Sequence, residues 1–289
     1  MGLSHEILHG ERSARVRSVC CRPADHGESR TEYVGGFQLV FPTAGSFRVH
    51  TGRTESVFLD ATQVLCLPPD RPHRYSHPES CGDVCLSIEL DREVLDGCLD
   101  ALDPKSADRD AAFPVHRAVL SPGALRRRAL LEHRLRAGVA DALEVEETLL
   151  QLMADWLAAR GAMSGSRHER ASTLRDHRER IEAIQRLLGS DPGHAFTLDE
   201  LSRRVFLSPC HLTTVFRRLT GLPIHRYLLR LRLAASLDQV LGTDREMTEV
   251  ACDLGFTTPS HFAARFRRAF GSSPSILRKN VTAPKLPGT

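Results

Sequence analysis

The chain has 289 residues, a formal net charge of +3 and eight cysteines. This length allows about two domains that each bury a core, and the cysteines are too few for the disulfide framework of a small secreted domain. The opening residues do not resemble a signal peptide, and no apolar run approaches the roughly 20 residues of a membrane span, so we expect a cytoplasmic protein with no membrane attachment.

Residues 1 to about 90 are typical of β structure. The pattern predicts short strands at Gly36–Phe41, Ser46–His50, Ser56–Leu59, Thr62–Leu67 and Val84–Leu90, separated by turns that contain glycine, proline or aspartate. Strands at such intervals favour a small barrel or jelly roll. Its inward-facing side chains would leave a lumen for one small ligand.

Several cysteines and histidines in this region raise the question of a metal site. The candidates are Cys81, Cys85, His73 and His77. A Cys-X3-Cys spacing beside a glycine turn is a weak zinc signal, and we expect Cys20 and Cys21 to pack as buried thiols commonly do. We therefore expect no metal and no cofactor, while metal or redox sensing by these cysteines stays an open alternative.

Two helices are predicted after residue 120. Ser121 and Pro122 can cap the first, which runs to Arg136, and Gly138 interrupts the pattern. The second, at about 140–160, carries an apolar stripe at three-and-four spacing, formed by Ala142, Val145, Leu149, Leu152 and Trp156. This narrow stripe resembles a coiled-coil seam and would make the protein a homodimer. The alternative is that the stripe packs on the barrel of its own chain.

The C-terminal part contains one local pattern twice, at Thr197–Gly221 and Met247–Gly271. Each copy predicts a short amphipathic helix, a tight turn and a second helix that ends at glycine. The second helices begin after Ser208 and Thr258, each of which is followed by proline. A hydroxyl at the N-cap satisfies free backbone donors, and proline fits the first helical position.

The two second helices each have a predicted buried face and a predicted exposed face. Apolar side chains four residues apart define the buried faces; they are Leu212 with Phe216, and Phe262 with Phe266. The opposite faces carry His211, Thr213, Thr214, Arg217 and Arg218 in the first copy and Ser260, His261, Ala264, Arg265 and Arg268 in the second. Cationic, hydroxyl-bearing faces on capped helices indicate a pair of helix-turn-helix units for DNA.

The charge distribution agrees with this interpretation. Residues 1–165 carry 19 Arg and Lys against 24 Asp and Glu, whereas residues 181–280 carry 14 against 9. The basic excess therefore lies where the repeated helices are, as a polyanionic partner requires. Between the copies, Pro223–Leu241 predicts one helix of about 28 Å. It could hold the two units about one DNA turn, roughly 34 Å, apart.

The run Leu201–Lys279 resembles the DNA-binding domain of the AraC/XylS transcription regulators. The matching residues keep the family's order and spacing; they are Ser208, Leu212, Phe216, Thr220, Gly221, Tyr227, Arg232, Leu233, Val250, Ala251, Leu254, Gly255, Phe256, Ser260, His261, Phe262, Phe266, Phe270, Gly271 and Pro274. Residues 35–90 resemble the cupin-like sensor domain of the same family. There, His73 falls where the second cupin motif has an inward-pointing histidine, and the region of the first motif offers only His50.

The resemblance implies sequence-specific binding in two successive major grooves near a promoter, with RNA polymerase as a further partner. The implied base-facing positions are Cys210, His211, Thr213, Thr214 and Arg217 in the first copy, with Arg218 beside them. In the second copy they are Pro259, Ser260, His261 and Ala264, with Arg265 and Arg268 nearer phosphate. Because Pro259 lacks a donor and Ala264 can only touch a thymine methyl, we expect the first copy to supply more sequence discrimination.

The expected fold has an N-terminal all-β cupin-like barrel with a helical hairpin, followed by an all-α domain with two helix-turn-helix units. The expected boundaries are 1–160 for the sensor and dimerisation domain, 161–177 for a linker, 178–280 for the DNA-binding domain and 281–289 for a flexible tail. The expected function is a transcription activator controlled by a small-molecule effector at His73, Tyr75 and His50. Two alternatives stay open, a regulator whose barrel only dimerises and, less favoured because the metal triad is incomplete, a cupin-type enzyme.

Overall fold

The computed structural model describes residues 2–10, 14–22, 28–51, 55–77, 82–93, 96, 116–160 and 171–282. Antiparallel strands occupy the N-terminal part and helices the C-terminal part, so the predicted two-part fold class is confirmed. Within these ranges, the helices are all too short or too polar to span a lipid bilayer.

The strands form two antiparallel sheets. They are β1 (Gly2–Gly10), β2 (Ala14–Arg22), β3 (Phe37–Ala44), β4 (Ser46–Thr51), β5 (Glu55–Asp60), β6 (Gln63–Leu67), β7 (His73–Ser76), β8 (Asp83–Leu90) and β9 (His116–Val119). One sheet has the order β1-β2-β8-β3-β6-β9 and the other has the order β5-β4-β7. One apolar cluster is formed by both sheets, with Val40 and Leu65 from the six-stranded sheet and Phe47 and Leu59 from the three-stranded sheet.

Four of these strands were not predicted from the sequence. Strand β2 does alternate, since Ala14 and Val16 are buried and Arg15 between them is exposed, but its arginines masked the signal. Strand β1 forms the edge of the six-stranded sheet and keeps Leu3 and Ile7 exposed. Strands β7 and β9 have four residues each, too few for a clear period.

The helices follow in one run. They are α1 (Pro122–Arg136), α2 (Ala142–Arg160), α3 (Ala171–Ser190), α4 (Leu198–Arg204), α5 (Pro209–Thr220), α6 (Ile224–Gly242), α7 (Met247–Asp253), α8 (Pro259–Phe270) and α9 (Pro274–Thr282). The predicted cap of α1 is confirmed, because the Ser121 hydroxyl accepts a hydrogen bond from the Ala124 N–H at 3.0 Å. Helix α3 begins inside the predicted linker, and residues 161–170 and 283–289 lie outside the described ranges.

The apolar stripe of α2 faces the interior of its own chain. Val145, Leu149, Leu152 and Trp156 are all buried, and the Trp156 ring lies edge-on to Phe37 of β3 with 5.7 Å between ring centroids. The coiled-coil interpretation of this stripe is therefore wrong, because these side chains already pack on the sheet. The alternative, packing within the chain, is confirmed.

Two apolar clusters organise the helices. The larger one runs from the six-stranded sheet through α1 and α2 into the C-terminal half of α6 and on to α7, α8 and α9. The smaller one joins α3, α4, α5 and the N-terminal half of α6. Helix α6, predicted as the connection between the repeated units, thus contributes to both clusters.

Candidate nucleic-acid interface

The first helix-turn-helix unit consists of α4, a turn and α5. Thr197 and Glu200 form a capping box at the start of α4. At the start of α5, the Ser208 hydroxyl accepts a hydrogen bond from the His211 N–H at 3.3 Å. Helix α5 ends at Gly221, whose φ of 77° is left-handed. The chain itself caps the start of both helices and the end of α5, which fixes where these helices begin and where α5 ends.

The second unit, α7, a turn and α8, repeats this arrangement. The Thr258 hydroxyl accepts from the His261 N–H at 3.0 Å, and α8 ends at Gly271 with a φ of 82°. The turn between α7 and α8 depends on Gly255, which has a φ of 67°. A Cβ there would lie 2.3 Å from the Gly193 carbonyl oxygen, so only glycine fits.

The buried and exposed faces agree with the sequence pattern. Leu212 and Phe216 of α5 and Phe262 and Phe266 of α8 are fully buried. The side chains expected at DNA are exposed, apart from the half-buried His261; the exposed ones are Cys210, His211, Thr213, Thr214, Arg217, Arg218, Pro259, Ser260, Ala264, Arg265 and Arg268. Their contact with DNA remains a prediction.

Local contacts orient the α5 side chains. The hydroxyls of Thr213 and Thr214 both donate to the Cys210 carbonyl, at 2.9 and 3.0 Å, which leaves their oxygens as acceptors at the surface. The Arg218 Nη2 lies 3.3 Å from Nδ1 of His177 on α3. Arg218 therefore lies at the edge of the exposed face, toward α3.

On α8, the side chains of His261 and Arg265 are hydrogen-bonded to each other. The Arg265 Nε donates to the His261 Nε2 at 3.1 Å, and Nδ1 of the same ring lies 3.2 Å from the Thr257 hydroxyl. Because an arginine nitrogen can only donate, the His261 Nε2 is the acceptor of this hydrogen bond. Arg267 is a further exposed cation on the same helix that was not predicted at DNA, because it lies next to the buried Phe266.

The N-terminal part contains a cavity of about 280 Å³, lined by side chains of both sheets. His73 and Tyr75 line it and are largely enclosed, and burial raises the pKa of the Tyr75 phenol far above its ordinary value, so the hydroxyl stays a donor. Burial, with the nearby Asp83 carboxylate, raises the pKa of the Cys21 thiol in the same cavity to about 11.

His50 does not line this cavity. On β4 its Nε2 lies 2.7 Å from the Ser76 hydroxyl and its ring is near Glu28, and burial lowers its pKa. Strand alternation turns the His50 side chain away from this lumen, and its contact with an effector stays a prediction. Cys81, part of the metal alternative, lies outside the described residues.

Paired capped helices with exposed cationic faces define a double helix-turn-helix DNA-binding domain. Residues 201–280 match the family model described as a helix-turn-helix domain. This C-terminal part of the chain belongs to the AraC-type helix-turn-helix family, as its motifs predicted.

Known relatives resemble a part of the chain of similar length. The Msm operon regulatory protein of Streptococcus mutans is 26% identical over 101 residues, which cover 35% of this chain and 36% of that protein. The HTH-type transcriptional activator RhaS of Yersinia pestis is 31% identical over 106 residues, 37% of this chain and 39% of that protein. The chain thus matches less than half the length of these two regulators. Among solved structures, apo ToxT of Vibrio cholerae aligns over 94% of this chain and 99% of that chain, with 12% identity and a TM-score of 0.41.

Proposed function

We propose that this protein is a sequence-specific transcription regulator that binds double-stranded DNA through α5 and α8. One observation carries the proposal: two helices of the same design bury their apolar faces and leave arginine, histidine and hydroxyl groups exposed. Exposed groups of these types match the phosphates and base edges of a duplex. The relatives that share this domain are transcription regulators, which supports the proposal and disfavours an enzyme.

The two helices are proposed to make different kinds of contact with DNA. Arg217 stands on the exposed face of α5 beside two threonine hydroxyls that can accept from bases or water. On α8, the proline and alanine of the exposed face offer little to a base edge, while Arg265, Arg267 and Arg268 are available to phosphate. We therefore assign more of the sequence discrimination to α5 and more of the backbone contact to α8.

The test begins with genome-wide footprinting of the bound protein, which supplies the natural sites. Gel-shift titrations then compare the native site with a scrambled one. We expect Arg217→Ala to lose about 1–3 kcal/mol at the native site, whereas Arg268→Ala should weaken both sites and reduce the salt slope by about one. Arg15→Ala on the β-sheet is the matched control. Unchanged native-site affinity in Arg217→Ala would reject the proposed role.

The N-terminal cavity is proposed to hold a small-molecule effector. Its wall includes His73 and Tyr75 of β7, and β7 is hydrogen-bonded to β4. Strand β4 carries Arg48, which forms an ion pair with Glu182 on α3, beside the first helix-turn-helix unit. A ligand that shifts β7 could therefore act on the first unit through one neighbouring strand.

Ligand screening separates this proposal from the alternative of a ligand-independent regulator. The full-length protein is heated with fractionated metabolite pools, and a raised unfolding temperature identifies a ligand. Tyr75→Phe should reduce that shift, while Arg15→Ala, which lies outside this cavity, serves as the control. A lack of any stabilising pool, with DNA binding retained, would favour the alternative.

Self-association is proposed on the outward face of α2. Leu143 and Leu150, seven residues apart, are 74% and 46% exposed there, unlike the buried Leu149 and Leu152. We expect Leu143→Lys with Leu150→Lys to give a monomer mass in light scattering, if these leucines hold a homodimer together. By contrast, Leu149→Asp should unfold the N-terminal part, because it buries a charge. If the double lysine variant still has the mass of a dimer, the interface lies on another surface.

Activation through RNA polymerase is the final element of the proposal. It is supported by the name of one relative, the transcriptional activator RhaS. A reporter fused to a footprinted promoter should show higher expression with the protein than without it. Lower expression would make the protein a repressor at that promoter.

A further inference from the structure

Three buried side chains of different chemistry meet in the wall of the N-terminal cavity. They are Cys21 on β2, His77 just after β7 and Asp83 at the start of β8. One ligand atom from each, a thiol sulfur, an imidazole nitrogen and a carboxylate oxygen, lies within 4.8 Å of the other two. Cys21 and Asp83 are directly opposed in the β2–β8 pairing, so the backbone register fixes two of the three positions.

The third residue brings in the other sheet. His77 continues from β7 of the three-stranded sheet, whereas Cys21 and Asp83 belong to the six-stranded sheet. The His77 side chain is only 2% exposed, and its Nε2 contacts Asp83 Oδ1. The cluster thus joins the two walls of the cavity at one point.

The hydrogen bonding of the cluster is incomplete. The buried Nδ1 of His77 has no hydrogen-bond partner among the residues that the structure describes. A buried nitrogen without a partner is costly, and the contact of Nε2 with Asp83 is what holds the ring in the cluster. By contrast, the second oxygen of Asp83 is held in place, since the Cys85 thiol donates to Oδ2 at 3.0 Å.

We propose that Cys21, His77 and Asp83 bind a zinc ion, with the fourth coordination position open to the cavity. Thiolate, imidazole and carboxylate are the ligands that zinc prefers, at about 2.3 Å for sulfur and about 2.0–2.2 Å for nitrogen and oxygen. The ion replaces the present contact between His77 and Asp83, and binding releases the thiol proton to water. Cys85 orients the carboxylate from outside the coordination sphere.

The open position follows from the placement of the three ligands. All three line the cavity, together with His73 and Tyr75. Three protein ligands with an accessible fourth site are typical of zinc that also binds water or a small molecule, whereas structural zinc sites are closed by four protein ligands. This inference does not depend on DNA binding and would stand if the proposed function failed.

The test uses the full-length protein, freed of metal with a chelator and titrated with Zn²⁺ against a chromophoric competitor. We expect one equivalent to bind, and Co²⁺ in place of Zn²⁺ to give a sulfur-to-metal charge-transfer band. Cys21→Ser should abolish that band, and His77→Gln should weaken zinc binding by more than ~100-fold. Asp83→Asn, which keeps the side-chain shape, is a second ligand variant in case Cys21→Ser does not fold.

Two controls separate this site from others on the surface. Cys210→Ser combined with Cys252→Ser removes the two thiols that are exposed among the described residues, and Cys20→Ser removes the neighbour of the proposed ligand. All three control substitutions should leave the stoichiometry and the charge-transfer band unchanged. The proposal is overturned if no equivalent binds, or if binding survives Cys21→Ser and His77→Gln but is lost in the double control variant. Circular dichroism of each metal-free variant confirms that it is folded.

Discussion

The two helix-turn-helix units share a local design but are anchored differently. The first unit has a cluster of its own, in which Phe216 packs edge-on against Tyr227 with ring centroids 5.3 Å apart. The second unit contributes Phe262 and Phe266 to the cluster that continues through α1 and α2 to the six-stranded sheet. Repetition of a motif therefore fixes its internal geometry, but not what it packs against.

The polar contacts with the N-terminal part differ in the same way. The apolar cluster that holds the first unit meets the three-stranded sheet through α3 and α6: Glu182 of α3 pairs with Arg48, and the Tyr227 hydroxyl of α6 donates to Asp60. The second unit meets α1, where the Arg126 Nη1 donates to the Phe270 carbonyl at 3.0 Å. We expect the second unit to move together with the N-terminal core. We expect the position of the first unit to change when the sheets around the cavity move.

The largest change in stability is expected from substitutions in the turns of the two units. Gly255→Ala forces an alanine to a φ of 67° and places its Cβ 2.7 Å from Arg232 Nη2 as well as against the backbone. We expect a loss of about 3 kcal/mol in urea unfolding. The matched change in the first unit is Phe206→Ala, which should cost less than about 0.5 kcal/mol because that side chain is 88% exposed. Equal losses of unfolding free energy in the two variants would mean that the second turn depends on its residue no more than the first.

Removal of one hydroxyl tests the anchoring of the first unit. Tyr227→Phe deletes the donor to the buried Asp60 carboxylate and the acceptor for Gln185 Nε2, which lies 2.7 Å away. The Thr62 N–H still donates to Asp60, so the expected loss is about 1–3 kcal/mol rather than more. Tyr33→Phe, at an exposed tyrosine, is the control in thermal unfolding. Matching unfolding temperatures for the two variants would show that this contact does not anchor the unit.

Removal of one guanidinium tests the anchoring of the second unit. Arg126→Ala leaves the last carbonyl of α8 without its cationic partner, and we expect a loss of about 1 kcal/mol. Arg267→Ala on the exposed face of α8 should have no measurable effect on stability. Hydrogen exchange should locate the change at the C-terminal end of α8, and faster exchange in α5 instead would contradict the assignment.

The smallest effect is expected at Phe206, which has a φ of 53° although it is not glycine. Phe206→Gly removes the cost of holding a non-glycine residue in the left-handed region, about 1–2 kcal/mol. It also makes the unfolded chain more flexible, which lowers the stability of the folded state and offsets part of that gain. The net expectation is a gain of about 0.5 kcal/mol in urea unfolding. Phe206→Ala, which keeps the left-handed cost, is the control, and a Gly variant no more stable than the Ala variant would show that this turn is not strained.

The sequence alone determined the local design of the C-terminal part. Hydroxyl caps at Ser208 and Thr258, proline after each and glycine at 221 and 271 fixed where α5 and α8 begin and end. These signals act within a few residues, so they can be recognised without knowledge of the rest of the fold. The apolar spacing likewise identified which faces are buried, and so which side chains are candidates for DNA.

Tertiary structure decided what the local pattern could not. An apolar stripe looks the same whether it packs on a second chain or on its own sheet, and only the fold showed that Leu149 and Leu152 pack on the sheet. The grouping of Cys21, His77 and Asp83 depends on strand register and on the approach of two sheets. Cys21 lies more than 50 positions from both partners along the chain, and a sequence period describes only neighbours along one helix or strand.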